Sequence, residues 1–224
     1  MSNIEGILLV NKSKNKTSFS IVHLLRKLTN VKKIGHAGTL DPLATGLMIM
    51  LIGKNYTRKS DSFINYKKEY LATVSLGHTT DTYDDEGEKK FVSDYIPTKS
   101  EVENILKEFQ GHIKQIPPMY SAKKVNGKKL YDLARKGTVI ERKPIEVEVN
   151  ISLIKYEYPF IEIDVRCSKG TYIRTIANDI GEKLKTGAFL YFLKRTKCGP
   201  YDLKNAVEQN LLTKDFDINN LLIT

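Results

Sequence analysis

The sequence predicts an α+β fold, with a central mixed and mainly antiparallel sheet flanked by helices. Three stretches carry this prediction. Segment 6–12 contains the apolar run 7–10 and has the length of a short buried strand. Apolar residues in segment 98–110 recur at helical spacing. Those in segment 144–166 alternate on either side of a Tyr158-Pro159 turn, as in paired antiparallel strands.

The first half of the chain predicts a strand, a helix and a further strand in that order. Thr17 follows the first strand, and its hydroxyl is suited to cap a helix. Phe19, Val22 and Leu25 then recur at helical spacing, which predicts one buried helix face. Residues 68–77 alternate in part between apolar and polar types, which predicts a strand that ends in a polar loop.

Two helices are predicted from their starting signals. Ser100 and Glu103 have the spacing of a capping box at the start of helix 98–110. Ser168 or Thr171 can cap a second helix, which continues through apolar residues at helical spacing. The core-facing residues predicted for this second helix are Ile173, Ile176, Ala177 and Ile180.

Two further signals concern a turn and the end of the chain. Asn126-Gly127 is the dipeptide most typical of a tight β-hairpin turn. Ala206 is predicted to begin a last helix. We therefore expect one main domain over 1–206 and a short extension over 207–224.

The composition indicates a folded protein with an anionic partner. The 224 residues carry 36 Lys and Arg against 26 Asp and Glu, a formal charge of +10. Nucleic acid and an anionic membrane surface are the usual partners of such a chain, and no basic amphipathic helix supports the membrane. The sequence shows no secretory signal or bilayer-length apolar run, and Cys167 and Cys198 have no metal-site spacing. A cytoplasmic protein, with a monomer as the default, is the expectation.

One loop stands out chemically, the stretch 35–46 with the sequence GHAGTLDPLATG. Its glycines allow backbone conformations that a side chain would block. Pro42 restricts Asp41 to an extended conformation, and a buried apolar run follows at 47–52. A carboxylate held rigidly among apolar neighbours is a candidate nucleophile or general base. On local chemistry alone, a turn or capping aspartate is the commoner interpretation.

No metal or cofactor site is predicted from the remaining motifs. Gly53-Lys54 lacks the spacing and the Ser or Thr of a phosphate-binding loop. The acidic loop 80–87 fails the EF-hand pattern, because neither starting position supplies both the central glycine and the final carboxylate. We therefore expect neither a metal nor an organic cofactor.

The loop 35–46 closely resembles the signature loop of the TruB family of tRNA pseudouridine synthases. Further stretches resemble the family in the same order: a Lys-x-Tyr strand, a Thr-Asp-Thr-x-Asp loop, a Pro-Pro-x-Tyr-Ser-Ala segment and a late Leu-x-Arg motif. The first strand departs from the family, ending in Asn-Lys-Ser where the family has Asp-Lys-Pro. Most or all of the family's C-terminal PUA-type domain is also expected to be missing.

The resemblance implies roles for individual residues. Asp41 corresponds to the catalytic aspartate, Tyr70 to the tyrosine that packs against the target base, and Arg174 to the arginine that pairs with that aspartate. Tyr172 corresponds to a second active-site tyrosine, and Leu193 would line the base pocket. His36 is expected to fill or hold the gap left by a flipped-out base, with a loop histidine whose hydrogen bonds are satisfied as the alternative. Expected RNA contacts are Asp84 and the lysines Lys123, Lys124, Lys128 and Lys129.

The implied fold is the pseudouridine synthase fold with an RNA-binding cleft, and the implied partner is the T-arm of tRNA. The uridine at tRNA position 55 would be flipped out, detached from its ribose, rotated and rejoined through carbon. Two alternatives stay open from the sequence. One is a pseudouridine synthase that acts on another RNA, and the other is a non-catalytic protein that binds or folds tRNA.

Overall fold

The computed structural model describes residues 4–125 and 127–224. The chain forms two compact units. The first comprises the chain up to Tyr70 together with Leu193–Thr224, and the second comprises Leu71–Phe192. Both units combine strands with helices, so the predicted α+β class is confirmed.

The helices and strands have the following bounds. The strands are β1 Gly6–Lys12, β2 Ile34–His36, β3 Thr45–Ile52, β4 Lys68–Leu76, β5 His78–Thr80, β6 Lys89–Phe91, β7 Gly111–Gln115, β8 Lys124–Val125, β9 Lys128–Lys129, β10 Ile145–Glu157, β11 Phe160–Cys167, β12 Ala188–Cys198, β13 Tyr201–Asp202 and β14 Val207–Glu208. The helices are α1 Ser18–Thr29, α2 Lys54–Thr57, α3 Ser60–Ile64, α4 Lys99–Lys107, α5 Leu130–Ala134 and α6 Ile173–Leu184.

The sheet of the first unit is mixed. Strand β1 runs antiparallel to β3 along its whole length, from Gly6 opposite Ile52 to Lys12 opposite Gly46. Strand β3 also pairs in parallel with β12, which places Arg195 opposite Gly46. The apolar run that follows the 35–46 loop forms most of β3 and is fully buried. The start of this buried central strand is therefore fixed on two sides.

Helix α1 confirms the predicted cap but not the whole predicted face. The Thr17 hydroxyl accepts a hydrogen bond from the backbone N–H of Ser20. Val22 and Leu25 are buried, whereas Phe19 is 53% exposed. The Phe19 ring lies on the outer side, with its centroid 4.6 Å from that of His23. An aromatic contact along the helix surface thus replaces the predicted burial of Phe19.

The second unit contains the predicted antiparallel strands. Strand β10 pairs with β11 on one side and with β7 on the other. Tyr158-Pro159 connects β10 to β11, as predicted. Helix α6 buries the predicted residues Ile173, Ile176, Ala177 and Ile180.

Both predicted helix caps in this unit are wrong in their residues. The capping box of helix α4 lies two residues earlier than predicted and is formed by Thr98 and Glu101. Helix α6 has Tyr172 at its N-cap and no side-chain cap, because the Thr171 hydroxyl donates to the carbonyl of Ser168 instead. The caps moved because backbone geometry decides which of several nearby hydroxyls meets the free N–H groups.

The hairpin prediction is confirmed and the last helix is not. Strands β8 and β9 pair antiparallel around the predicted turn, although Asn126 itself lies outside the described residues. After Ala206 the chain forms β14, which pairs in parallel with β1. The Glu208 carboxylate accepts a hydrogen bond from the Asn11 side chain. Residues Val207–Glu208 therefore form a strand along the edge of β1 and not a helix. Over residues 4–125 and 127–224, no helix is long and apolar enough to cross a bilayer.

Candidate active site

The residues predicted to act on the substrate fall in both units. The first unit holds His36, Asp41, Tyr70 and Leu193. The second unit holds the remaining predicted residues, which are Asp84, Lys123, Lys124, Lys128, Lys129, Tyr172 and Arg174.

Asp41 lies between two residues that are held by hydrogen bonds from distant parts of the chain. The Ser18 hydroxyl both donates to the carbonyl of Leu40 and accepts from its N–H, each at 2.9 Å. The carbonyl of Pro42 accepts from the backbone N–H of Asn15 at 2.9 Å and from the Lys12 ammonium at 3.3 Å. The backbone on each side of the half-buried Asp41 is therefore fixed, as a precisely placed catalytic carboxylate requires.

Lys12 is 1% exposed and forms a buried charged anchor under this loop. Its ammonium donates to the carbonyls of Ser13 at 3.0 Å and Lys16 at 2.6 Å, besides the bond to Pro42. A buried ammonium is tolerated only when such oxygen atoms surround it. The Asn-Lys-Ser end of β1 thus contributes directly to the position of Asp41.

Gly46 and Arg195 bring the end of the loop against strand β12. Gly46 has a φ of +102°, and a Cβ atom on it would lie 2.7 Å from the backbone nitrogen of Arg195. The space admits no side chain, so glycine is required at this position. Arg195 is 1% exposed, and its guanidinium donates to the carbonyl of Leu47 at 2.6 Å and of Gly38 at 3.2 Å. It therefore ties the middle of the loop to the start of β3.

His36 lies in the same loop and is held in its neutral form. Burial lowers the pKa of His36, and the positive charge of Arg195 lowers it further. Its Nδ1 atom is buried without a hydrogen-bond partner among the described residues. The ring is thus a neutral, flat group in the Asp41 loop, which is compatible both with the predicted role beside a flipped base and with a structural role.

Leu193 and Tyr70 are both buried residues of this unit. Leu193 is 6% exposed, and its carbonyl accepts a hydrogen bond from the Thr45 hydroxyl at 3.4 Å. This places Leu193 next to the end of the Asp41 loop. Tyr70, on β4, is 8% exposed.

Arg174 forms the centre of the site residues in the second unit. Its guanidinium lies 3.3 Å from the carboxylate of Asp84, and both side chains are almost fully buried. It also donates to the carbonyl of Tyr120 at 2.8 Å and of Thr82 at 3.2 Å. Arg174 is therefore not a solvated surface arginine. One buried arginine fixes two separate loops against the first turn of α6.

Asp84 is accordingly a buried ion-pair partner and not a turn residue on the surface. It is 2% exposed. Its carboxylate accepts from the Thr82 hydroxyl at 2.6 Å and from the backbone N–H of Glu86 at 3.2 Å. The prediction that Asp84 contacts RNA is not tested by this geometry, which instead gives the residue a role in orienting Arg174.

Tyr172 is held by an amide side chain that the sequence did not single out. Gln115 is 1% exposed, and its amide donates to the carbonyl of Tyr172 at 3.0 Å and accepts from its N–H at 2.7 Å. This reciprocal pair satisfies a backbone N–H at the start of α6 that no hydroxyl caps. It fixes the backbone that carries both Tyr172 and Arg174.

The four predicted lysines lie on or beside the β8–β9 hairpin. Lys124 and Lys128 are exposed, and Lys123 and Lys129 are half-buried. The Lys129 ammonium lies 2.9 Å from the Tyr131 hydroxyl and 5.2 Å from the centre of its ring. Within the described part of the chain, none of the four pairs with a carboxylate. The hairpin therefore presents positive charge that is not neutralised locally.

Four buried residues at this site were not assigned a site role from the sequence: Lys12, Ser18, Gln115 and Arg195. The sequence carried a signal for two of them, because Lys12 ends a strand that is mostly apolar and Arg195 follows the apolar first half of β12. A buried charge there needs polar partners, and the partners belong to the loop that carries Asp41. Ser18 and Gln115 have no comparable signal.

Among residues 4–125 and 127–224, no group of three or more His, Cys, Asp or Glu side chains could hold a metal ion. The first unit instead offers a fixed carboxylate, and the second offers a buried guanidinium and a basic hairpin. Such groups are suited to acid–base or nucleophilic chemistry on a polyanionic substrate.

Comparison with known proteins gives matches through most of the chain. Residues 26–173 match the N-terminal domain of the TruB family pseudouridylate synthases, and residues 174–218 match the tRNA pseudouridylate synthase B C-terminal domain. The tRNA pseudouridine synthase B of Protochlamydia amoebophila (strain UWE25) is 52% identical over 225 residues, which cover 96% of this chain and 86% of that protein. That of Chlamydia abortus (strain DSM 27085 / S26/3) is also 52% identical, over 97% of this chain and 93% of that protein.

A solved structure gives a similar result at lower identity. A chain from the crystal structure of a Cbf5-Nop10-Gar1 complex aligns with a TM-score of 0.73 and 26% sequence identity. The alignment covers 92% of this chain and 53% of that one, so this chain spans about half of its length. The likeness extends over both compact units.

Proposed function

Because the chain belongs to the TruB family of pseudouridylate synthases, we propose that it isomerises uridine to pseudouridine in tRNA, at position 55 of the T-loop. Two relatives that are 52% identical to this chain are each named tRNA pseudouridine synthase B. The matched residues cover 86% and 93% of those two proteins. The proposed partner is the T-arm of tRNA, bound by a monomer in the cytoplasm, with no metal or organic cofactor.

The single observation that best supports catalysis is the restraint around Asp41. A residue with a turn role alone has no need for buried bonds on both neighbours, whereas a catalytic carboxylate must be held within a fraction of an ångström. Here Leu40 is bound by Ser18, and Pro42 is bound by Asn15 and the buried Lys12. These bonds join the loop to β1 and α1, so its geometry depends on the core of the first unit.

The proposed roles follow from the chemistry of each side chain. Asp41 acts on the target nucleotide as nucleophile or base. Tyr70 stacks on the target base, and Leu193 lines the apolar pocket that receives it. Arg174 orients the carboxylate of Asp41. This pairing of Arg174 with Asp41 is the one that the family resemblance implies, and it is part of the proposal. His36 occupies the space that the flipped base leaves.

Binding of the RNA backbone is assigned to the basic hairpin. When lysines without carboxylate partners neutralise RNA phosphates, counterions that were condensed on the RNA are released. This release makes the affinity depend on salt concentration. The exposed pair Lys124 and Lys128 is the clearest candidate.

The lysine assignment predicts a change in salt dependence. We expect the double variant Lys124→Ala/Lys128→Ala to bind tRNA less tightly and to lower the log–log salt slope by about 1 for each phosphate contact removed. Filter binding or fluorescence anisotropy between low and moderate salt measures this slope. Lys155→Ala is the matched control, since Lys155 is exposed but paired with Glu157. An unchanged slope in the double variant would remove the hairpin from the RNA interface.

Mapping the product tests the proposed reaction directly. An unmodified tRNA transcript, incubated with the protein and mapped for pseudouridine position by position, should contain product at uridine 55. A transcript with cytidine at that position should contain none. Product at another uridine would keep the chemistry and discard the target. Tight binding without product in either transcript would favour a non-catalytic tRNA-binding role.

A further inference from the structure

Tyr83 has a backbone conformation that tyrosine rarely adopts. It lies in the loop between β5 and β6, with a φ of 64°. Non-glycine residues in this left-handed region are uncommon, and those found there are mostly Asn or Asp. Such a conformation persists only where the surrounding structure imposes it, and it occurs often at functional sites.

The neighbours of Tyr83 in the chain are the residues that contact Arg174. Thr82 offers its carbonyl to the guanidinium, and Asp84 offers its carboxylate. The left-handed turn at Tyr83 directs both groups toward the same guanidinium. A shift of φ at this residue would therefore move Asp84 relative to Thr82 and disturb both contacts.

The Tyr83 side chain lines a cavity beside α6. The cavity has a volume of about 540 Å³, and its wall includes Asn178, Asp179, Glu182 and Arg142. Burial raises the pKa of the Tyr83 hydroxyl, Arg142 opposes this shift, and the negative charges of Glu182 and Asp179 add to it. The half-buried Tyr83 thus shares the wall of this cavity with side chains of the helix that carries Arg174.

The hydroxyl of Tyr83 forms no hydrogen bond within the described residues. The ring of Tyr83 therefore lines the cavity wall without a directional hydrogen bond. The backbone of the loop has its own attachment, because the carbonyl of Tyr83 and the N–H of Asp85 both bond to Leu190.

We propose that Tyr83 is a positioning residue, whose left-handed backbone and whose ring on the wall of the cavity beside α6 hold the loop so that Asp84 and Thr82 orient Arg174 for the reaction. This inference rests on the proposed function, since it assigns Tyr83 a share in the same chemistry. It acts through Arg174, so substitution of Tyr83 changes turnover and leaves tRNA affinity unaltered.

Three variants separate the ring, the hydroxyl and the backbone. Tyr83→Phe keeps the ring and removes the hydroxyl, and we expect its kcat to stay within about twofold of wild type. Tyr83→Gly accepts a φ of 64° without strain and removes only the anchor, so we expect kcat to fall about tenfold with KM nearly unchanged. Tyr83→Ala adds backbone strain and should be at least as slow. Tyr95→Ala, at an exposed tyrosine of the same unit, is the control and should retain wild-type kcat.

A double-mutant cycle gives a readout that general destabilisation would not change. If Tyr83 acts through Asp84, the loss of kcat caused by Asp84→Asn should be several-fold smaller in the Tyr83→Gly background than in the wild type. Single-turnover assays on a tRNA transcript give these rates, and thermal melts confirm that each variant is folded. Wild-type kcat in Tyr83→Gly, or losses that simply multiply, would overturn the inference. An inactive wild type would instead contradict the proposed function.

Discussion

Replacement of Asp41 by Asn is expected to lower the rate of pseudouridine formation at least about 10³-fold while leaving tRNA affinity nearly unchanged. Asparagine keeps the shape of aspartate but is neither a nucleophile nor a base. The bonds that hold Leu40 and Pro42 come from Ser18, Lys12 and Asn15 and do not involve the Asp41 side chain, so the loop should keep its position. Single-turnover formation of pseudouridine, with affinity measured in parallel, checks this prediction.

Two controls make the Asp41 experiment decisive. Asp41→Glu keeps the charge but moves the carboxylate by about one bond length, and a rigid loop should make this variant at least about 10²-fold slower. Asp215→Asn removes an exposed carboxylate of the same unit and should be fully active. Turnover by Asp41→Asn at the wild-type rate would show that the loop carboxylate has no chemical role.

Replacement of Arg174 by Ala is expected to reduce turnover about 10²-fold to 10³-fold and to destabilise the second unit by about 3 kcal/mol. The variant takes the guanidinium from a buried carboxylate, Asp84, and leaves the carbonyls of Thr82 and Tyr120 without their donor. Desolvated groups that lose their partner are costly, so both stability and activity should fall. Chemical denaturation and single-turnover kinetics measure the two effects separately.

A second variant separates the catalytic loss from the loss of stability. Asp84→Asn combined with Arg174→Met removes both buried charges and should recover part of the stability, because no ion remains without its partner. We expect this double variant to stay inactive if the guanidinium takes part in the reaction. Recovery of turnover together with stability would reduce Arg174 to a purely structural ion pair.

Much of the candidate site could be predicted from the sequence because its residues are locally marked. Asp41 lies between a glycine-rich stretch, which permits unusual backbone conformations, and Pro42, which restricts the residue before it. Lys124 and Lys128 flank a turn whose residues specify a hairpin, and the structure confirms that hairpin. The burial of the apolar run after the Asp41 loop was likewise predicted, although its strand conformation was not.

Other features could not be predicted because the sequence allowed more than one local arrangement for each of them. Three hydroxyl or amide groups near the start of α6 could satisfy its free N–H groups, and Gln115 from another strand did so at Tyr172. Phe19 satisfies the helical spacing of a core residue, yet its ring packs along the helix surface against His23. The segment after Ala206 became a strand because β1 offered it an open edge.

By itself, the sequence determined the α+β class, the positions of several strands and helices, and the loop that presents Asp41. These features depend on periodicity and on residues whose backbone preferences act over a few positions. Only the tertiary structure decided which groups hold the site residues: the bonds from Lys12 and Ser18 span 30 and 22 positions, and those of Arg174 span 54 and 92. A buried polar group must find a partner or lose its solvation energy, and packing of distant segments alone determines which partner it meets.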